Sequence, residues 1–241
     1  MKMKNLIIIP FFLLMATAVT AQEVSTVSVY SDYSMPGVKR IAVNKIDAVG
    51  GGIRVSFKID DDSDLDLNFG YQLFSLQQDS ALQRWNWDFW ETRYKNRIAA
   101  DLQADPRLAA TINPIQKMDL YSVDLSFSHL IKLPAGFRIV PRIGGGVMFF
   151  IRRLYLEESW QKKFDASFTY EYSYRNFATN KTGNPYFANA GITLDYALVN
   201  DINLSAGAEF RHIFRTAGKF GYEQFVFNDA LSINLGLTFV Y

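Results

Sequence analysis

Ionisable side chains recur two or four positions apart along several stretches of this chain, most of them between apolar neighbours. Arg54 and Lys58 alternate with Ile53, Val55, Phe57 and Ile59, and Asp66 sits between Leu65 and Leu67. Asp124, Arg138, Arg142, Asp195, Glu209 and Arg211 repeat the arrangement further along. Charges of both signs gathered on one face suit ion pairing more than acid–base catalysis. The material for nucleophilic or proton-transfer chemistry is thin: two histidines, His129 and His212, and no cysteine. Ser128 precedes His129, but neighbours in a strand point to opposite faces, so these two cannot form a nucleophile–base pair. Residues 50–52 and 144–146 are glycine triplets. Neither has the Lys-Ser/Thr or the strand–loop–helix context of a phosphate loop, and both read as relief of curvature inside strands. No catalytic residue, cofactor-binding residue, metal-ligand set or cofactor is assigned.

The elements that must position these charges are strands. In residues 230–241, Ile233, Leu235, Leu237, Phe239 and Tyr241 form one apolar set, while Ser232, Asn234, Gly236 and Thr238 form the other face. Period-two alternation of this kind marks a strand with one face in an apolar environment. It recurs, weakly at 24–34 and clearly at 46–59, 65–76, 118–132, 137–154, 185–199 and 202–215. Met35-Pro36-Gly37 ends the first of these. Connections at 60–64, 133–136 and 200–201 are short, and those at 77–116, 156–184 and 216–229 are long. Residues 164–174 also alternate, and are expected to extend beyond a membrane. A ten-strand alternative sends them and 220–227 across it.

The longest connection carries Trp85, Trp87 and Trp90, which are candidates for surface binding because clustered rings can stack on sugars or anchor a partner. The competing expectation is that they pack this loop onto the rim of the fold. Trp90, Tyr94 and Ile98 recur at i, i+4, so part of the loop is expected to be helical.

The 241 residues carry 25 Lys and Arg against 24 Asp and Glu. That balance leaves no basic surface for nucleic acid. The 20 Phe and 13 Tyr favour strands and also form the girdles of membrane barrels. Lys2 and Lys4, the apolar run 6–15 and the small residue Ala21 make a cleavable export signal, residues 1–21. The run is short of the ~20 apolar residues that span a bilayer. Without cysteine there is no lipoprotein anchor and no disulfide.

Signal, alternation, turn rhythm and an aromatic last residue together make residues 22–241 resemble the small outer-membrane β-barrels of the outer membrane protein A and X type. A soluble sandwich would alternate equally well, but does not account for the unequal loops. The resemblance is architectural. It implies an all-β, up-and-down antiparallel transmembrane barrel of eight strands, multi-pass in the outer membrane. It further implies contact with outer-membrane lipid and lipopolysaccharide, and with the insertion machinery through Leu237, Phe239 and Tyr241 as an assembly signal. An extracellular ligand is left unidentified. The expected role is non-enzymatic: envelope structure and surface binding or adhesion. A narrow pore for small solutes and a lipid A-modifying enzyme are the alternatives. A barrel of eight strands has room for side chains but hardly for water. Arg54, Lys58, Asp66, Asp124, Arg138, Arg142, Asp195, Glu209 and Arg211 are therefore expected to plug it, with Lys58 meeting Asp66 across their hairpin.

Overall fold

The computed structural model describes residues 23–37, 40–165, 168–216 and 218–241. The expected export signal, 1–21, lies outside the described residues. Eleven strands follow one another: β1 (Val24–Pro36), β2 (Val43–Lys58), β3 (Ser63–Gln78), β4 (Leu108–His129), β5 (Ile131–Lys132), β6 (Phe137–Lys163), β7 (Thr169–Phe177), β8 (Lys181–Gly183), β9 (Tyr186–Val199), β10 (Ile202–Ile213) and β11 (Asp229–Val240).

Eight of them, β1 to β4, β6 and β9 to β11, pair antiparallel into a closed ring. The ring closes where β1 runs against β11, from Thr26 opposite Val240 to Pro36 opposite Ala230. On the lumen side this seam is joined by hydroxyl pairs, Ser28 with Thr238 at 2.8 Å and Ser34 with Ser232 at 2.5 Å. Three short turns lie at the lower end of the ring, and the long connections rise from the upper end. The ten-strand arrangement is not adopted. β7 and β8 pair with β6 alone, and residues 220–227 fold into the mouth instead of crossing.

The apolar sets point outward. Val29, Val49, Ile53, Ile143, Ile192 and Leu235 are about half exposed or more, as are their neighbours around the ring. A soluble monomer rarely exposes a continuous apolar patch above a few hundred Å². Lipid contact accounts for it, and every ring strand exceeds the ~9–11 residues needed to cross. Aromatic contacts stud this belt, among them Tyr71–Tyr121 at 5.2 Å and Phe137–Tyr196 at 4.8 Å. No helix among the described residues is long and apolar enough to span.

β4 and β6 are much longer than their neighbours and rise above the ring as one hairpin wall, Gln116 opposite Leu154 up to Leu108 opposite Lys162. β7 adds to the free edge of β6, Thr169 opposite Lys163 to Phe177 opposite Tyr155. The expected loops 77–116 and 156–184 are thus partly strand. Pro114, a signal for irregular chain, is tolerated because β3 stops pairing at Gln116, which leaves an edge where a missing N–H costs nothing. The rest of the longest connection is helical: α1 (Ala81–Trp85), a π turn at Trp90–Tyr94 and α2 (Lys95–Ala104), as the i, i+4 spacing implies.

The β2–β3 turn corrects the expected Lys58–Asp66 pair. The amides of Ile59 and Asp60 both reach the Ser63 carbonyl, at 2.9 and 3.1 Å, and the register is two residues tighter than the expected pairing. Lys58 then stands opposite Asp64, and Ser56 opposite Asp66. Lys58 leaves the lumen for water and binds Asp61 at 2.8 Å.

Glycine decides how closely the coiled strands approach. A Cβ on Gly146 would lie 2.1 Å from the Val123 carbonyl oxygen and 2.6 Å from the Asp124 Cβ. Gly52 and Gly236 stand opposite Tyr30 on its two neighbouring strands, and Cβ atoms there would collide with the tyrosine itself. Gly146→Val should abolish folding, seen as loss of the heat-modifiable band on a gel. Gly37→Ala, whose Cβ meets nothing within 4 Å, should retain that band.

Candidate functional site

The lumen has two unlike halves. In the lower half, charged and amide side chains from neighbouring and next-neighbouring strands form a connected set. Arg54 Nε donates to Asn68 Oδ1 at 2.6 Å, and Asn68 Nδ2 donates to Asp124 Oδ1 at 2.9 Å. Asn189 reaches the same Asp124 oxygen at 3.1 Å from β9, across the intervening β6. Arg142 Nε donates to Asp66 Oδ2 at 2.9 Å, and its Nη1 to Thr193 Oγ1. Arg211 binds Glu209 at 2.6 Å. The Arg54 guanidinium lies 5.3 Å from the centre of the Tyr30 ring. Arg138 stands opposite Asp195 in the β6–β9 register near the lower end. Of the nine charges expected inside, Lys58 alone is turned out at the periphery.

The upper half is apolar. Phe74, Met118, Leu120, Met148, Phe150 and Phe187 line it, and the connection between β10 and β11 lowers Phe225, Val226 and Phe227 among them. Ring centroids are 5.2 Å apart for Phe150–Phe225 and 4.6 Å for Phe225–Phe227. Two arginines hold this inserted loop. Arg40 donates to the Tyr222 carbonyl at 2.8 Å and lies 3.8 Å over the Tyr222 ring. Arg152 donates to the Gln224 carbonyl at 3.4 Å and to Gln116 at 2.8 Å, with its guanidinium 4.7 Å from the Trp85 ring. This plug was not anticipated from the sequence. Phe225-Val226-Phe227 has no alternation to mark it, and an apolar triplet within a loop was the only available signal.

Of the two expectations for the tryptophans, the structure adopts packing of the loop onto the rim. Trp85 is 4% exposed and Trp90 8% exposed, with Trp87 half-buried against them. Trp85 packs on Leu154 and Ala178, and donates Nε1–H to the Thr179 carbonyl at 3.1 Å. Trp90 packs on Ile98, Leu156 and Trp160. They are the core that seats the helices on the β4–β6–β7 wall. Aromatics open to solvent there include Phe89, Tyr170, Tyr172, Tyr174 and Phe177.

Neither histidine is assembled into a hydrolytic site. Ser128 is buried in the lumen, whereas His129 Nδ1 lies 3.2 Å from Ser63 Oγ across the β3–β4 pair. Beside them the Asp60 carboxylate accepts the Asp62 amide at 2.9 Å. A triad base needs its carboxylate on the far side of the imidazole. His212 binds Asp229 at 2.5 Å, but its cross-strand neighbours are Ala188 and Asp229, so no hydroxyl faces it. No group of three or more His, Asp or Glu among the described residues is placed to hold a metal. Leu237, Phe239 and Tyr241 lie on the outward face of β11 and its end, all exposed.

Removing one partner of a buried ion pair costs about 3–5 kcal/mol, because the other charge is left uncompensated. Arg142→Ala should lower the stability to urea of the lipid-embedded barrel by about that amount. Adding Asp66→Asn should recover part of it.

No protein-family model matches the chain, and no curated protein matches it in sequence. Solved structures similar to it include a major outer membrane protein from Thermus thermophilus, at 13% identity over 91% of this chain and 100% of that one, with a TM-score of 0.47. Neisserial surface protein A is 10% identical over 90% of this chain and 96% of its own, with a TM-score of 0.46. Ail, the attachment invasion locus protein of Yersinia pestis, is 12% identical over 90% and 99%, with a TM-score of 0.40. Independently of these likenesses, the closed hydrogen-bonded ring and its apolar exterior make the chain an all-β, up-and-down antiparallel barrel of the transmembrane type.

Proposed function

We propose that this chain is a non-conducting, non-enzymatic outer-membrane barrel, structural in the envelope, that acts on its surroundings through the wall and helices above the ring. The observation that carries the reading is the double closure of the lumen. Paired charges fill the lower half, and the Phe225–Phe227 insertion fills the upper half. Eight strands leave no room for a water channel beside such side chains. What remains free to meet other molecules is the extension built from β4, β6, β7 and α2, on the side that the resemblance assigns to the cell exterior.

Planar-bilayer recording of the purified protein should show no steady conductance, and regular steps would establish the narrow-pore alternative instead. Arg40→Ala with Arg152→Ala should release the plug loop, so that added protease cuts within 214–228 in intact cells while the ring stays folded. The outward Leu237, Phe239 and Tyr241 fit an assembly signal. Phe239→Asp should reduce insertion into the outer membrane several-fold while leaving the amount exported unchanged, measured by fractionation.

A further inference from the structure

Above the ring, α2 covers only part of the wall. Leu108, Ala110 and Ile112 of β4 and Trp160 of β6 lie beneath it, but the outermost strand, β7, projects past it. Between the helix and β7 lies an open cleft of about 580 Å³ with two unlike sides. One side is aromatic. Tyr172 stands directly opposite Trp160 in the register, and the two rings are parallel to 3° at 6.1 Å. Tyr172 and Tyr174 are parallel to 7° at 6.3 Å. Trp160 is buried as the floor, while Tyr172 and Tyr174 are each 39% exposed. The other side is polar: Arg97 and Asp101 from α2, then Asp105 at its end, which binds Lys162 at 2.9 Å.

The cleft is held rigid from below. Glu158, fully buried, accepts from Tyr94 at 3.0 Å, from Trp160 Nε1 at 2.9 Å and from Asn176 at 2.6 Å. One carboxylate thus ties the helix approach, β6 and β7 together. Tyr94 also hydrogen bonds Tyr174. Partial burial, and then the hydrogen bonds with Tyr94 and Glu158, push the Tyr174 phenol up, so it stays protonated. Hydrogen bonds from Arg107 and Lys162 hold the Asp105 carboxyl well below the usual range, so it stays ionised.

Arg97 and Lys162 face Asp101 and Asp105 in the cleft, and Arg107, bound to Asp105 at 3.0 Å, is offset by the Glu158 carboxylate beneath, so the cleft has no net charge to attract an ionic ligand. Its polar side excludes a purely apolar one. A ring system with apolar C–H faces and a rim of hydroxyls satisfies both sides at once, stacking on the tyrosines and hydrogen bonding to the charged groups. The volume lies within the usual range of small-ligand sites.

We propose that the cleft between α2 and β7 binds an uncharged saccharide chain, stacked on Tyr172 and Tyr174 and hydrogen bonded by Arg97, Asp101 and the Asp105–Lys162 pair. This deepens the proposed surface-binding role and rests on the extension facing the cell exterior. The test presents folded full-length protein in lipid nanodiscs to immobilised oligosaccharides, one set neutral and one set sulfated or rich in uronic acid. Selective binding to neutral members is expected. Tyr172→Ala should weaken it about tenfold or more, Asp101→Ala should weaken it as well, and Tyr172→Phe should bind like the wild type. All variants should keep the heat-modifiable band. Absence of binding to the neutral set, binding only to the acidic set, or binding indifferent to Tyr172→Ala and Asp101→Ala would each overturn the inference. A parallel assay scores attachment of cells bearing the protein to surfaces before and after enzymatic removal of glycans. Attachment that survives glycan removal would sink the saccharide and leave the surface-binding role standing. Attachment no greater than that of cells lacking the protein would count against the role itself.

Discussion

Lipid offers no hydrogen bond to a peptide group, and the architecture follows from that constraint. Each strand in the belt must hand its amides and carbonyls to a neighbour on both sides, which a sheet achieves only by closing on itself. Closure at eight strands then dictates a narrow interior, and a narrow interior needs small residues where strands coil tightly, as at Gly52 and Gly146. Outside the belt the constraint lapses. There β6 runs on, Pro114 sits on an edge of β4, and β7 presents a free side to water.

The lumen distributes its side chains by what can reach them. Low in the ring, ion pairs such as Arg142–Asp66 and Arg211–Glu209 form between side chains already fixed by the sheet. High in the ring, a flexible connection is within reach, and Phe225 to Phe227 fill the space with apolar volume that requires no exact partner. The arginines Arg40 and Arg152 supply the direction that hydrophobic contact lacks. Both donate to carbonyls of the inserted loop, and so tie its backbone without depending on its side chains.

Much of the ring was legible in the sequence, because period-two alternation survives wherever one face meets lipid. Leu65, Leu67, Phe69 and Tyr71 face out, with Asp66 and Asn68 facing in, and from such sets the eight strands and their closure follow. Features set by three-dimensional reach were not legible. A two-residue difference in register at the turn after Lys58 set it opposite Asp64, at the rim, where it meets water and Asp61. For Trp85 and Trp90 both surface binding and rim packing stood open, because sequence cannot say that a helix will press them onto Leu154 and Leu156. The cleft residues were in view as an alternating stretch, Tyr170, Tyr172 and Tyr174, but what lies opposite them depends on α2, some seventy positions away.

Tyr30 bears on how the ring finds its alignment. The hydroxyl pairs along the β1–β11 seam join residues up to 210 positions apart, and partners that distant meet late in folding. Serine and threonine are too small to reject a slip of two residues, which would keep every side chain on its proper face. Tyr30 does reject it. With Gly236 on one flank and Gly52 on the other, its ring fits a slot that exists in one alignment only. A slip of the seam would set it against Asn234 or Thr238. The tyrosine therefore acts as a ratchet tooth, letting β1 and β11 engage at a single notch.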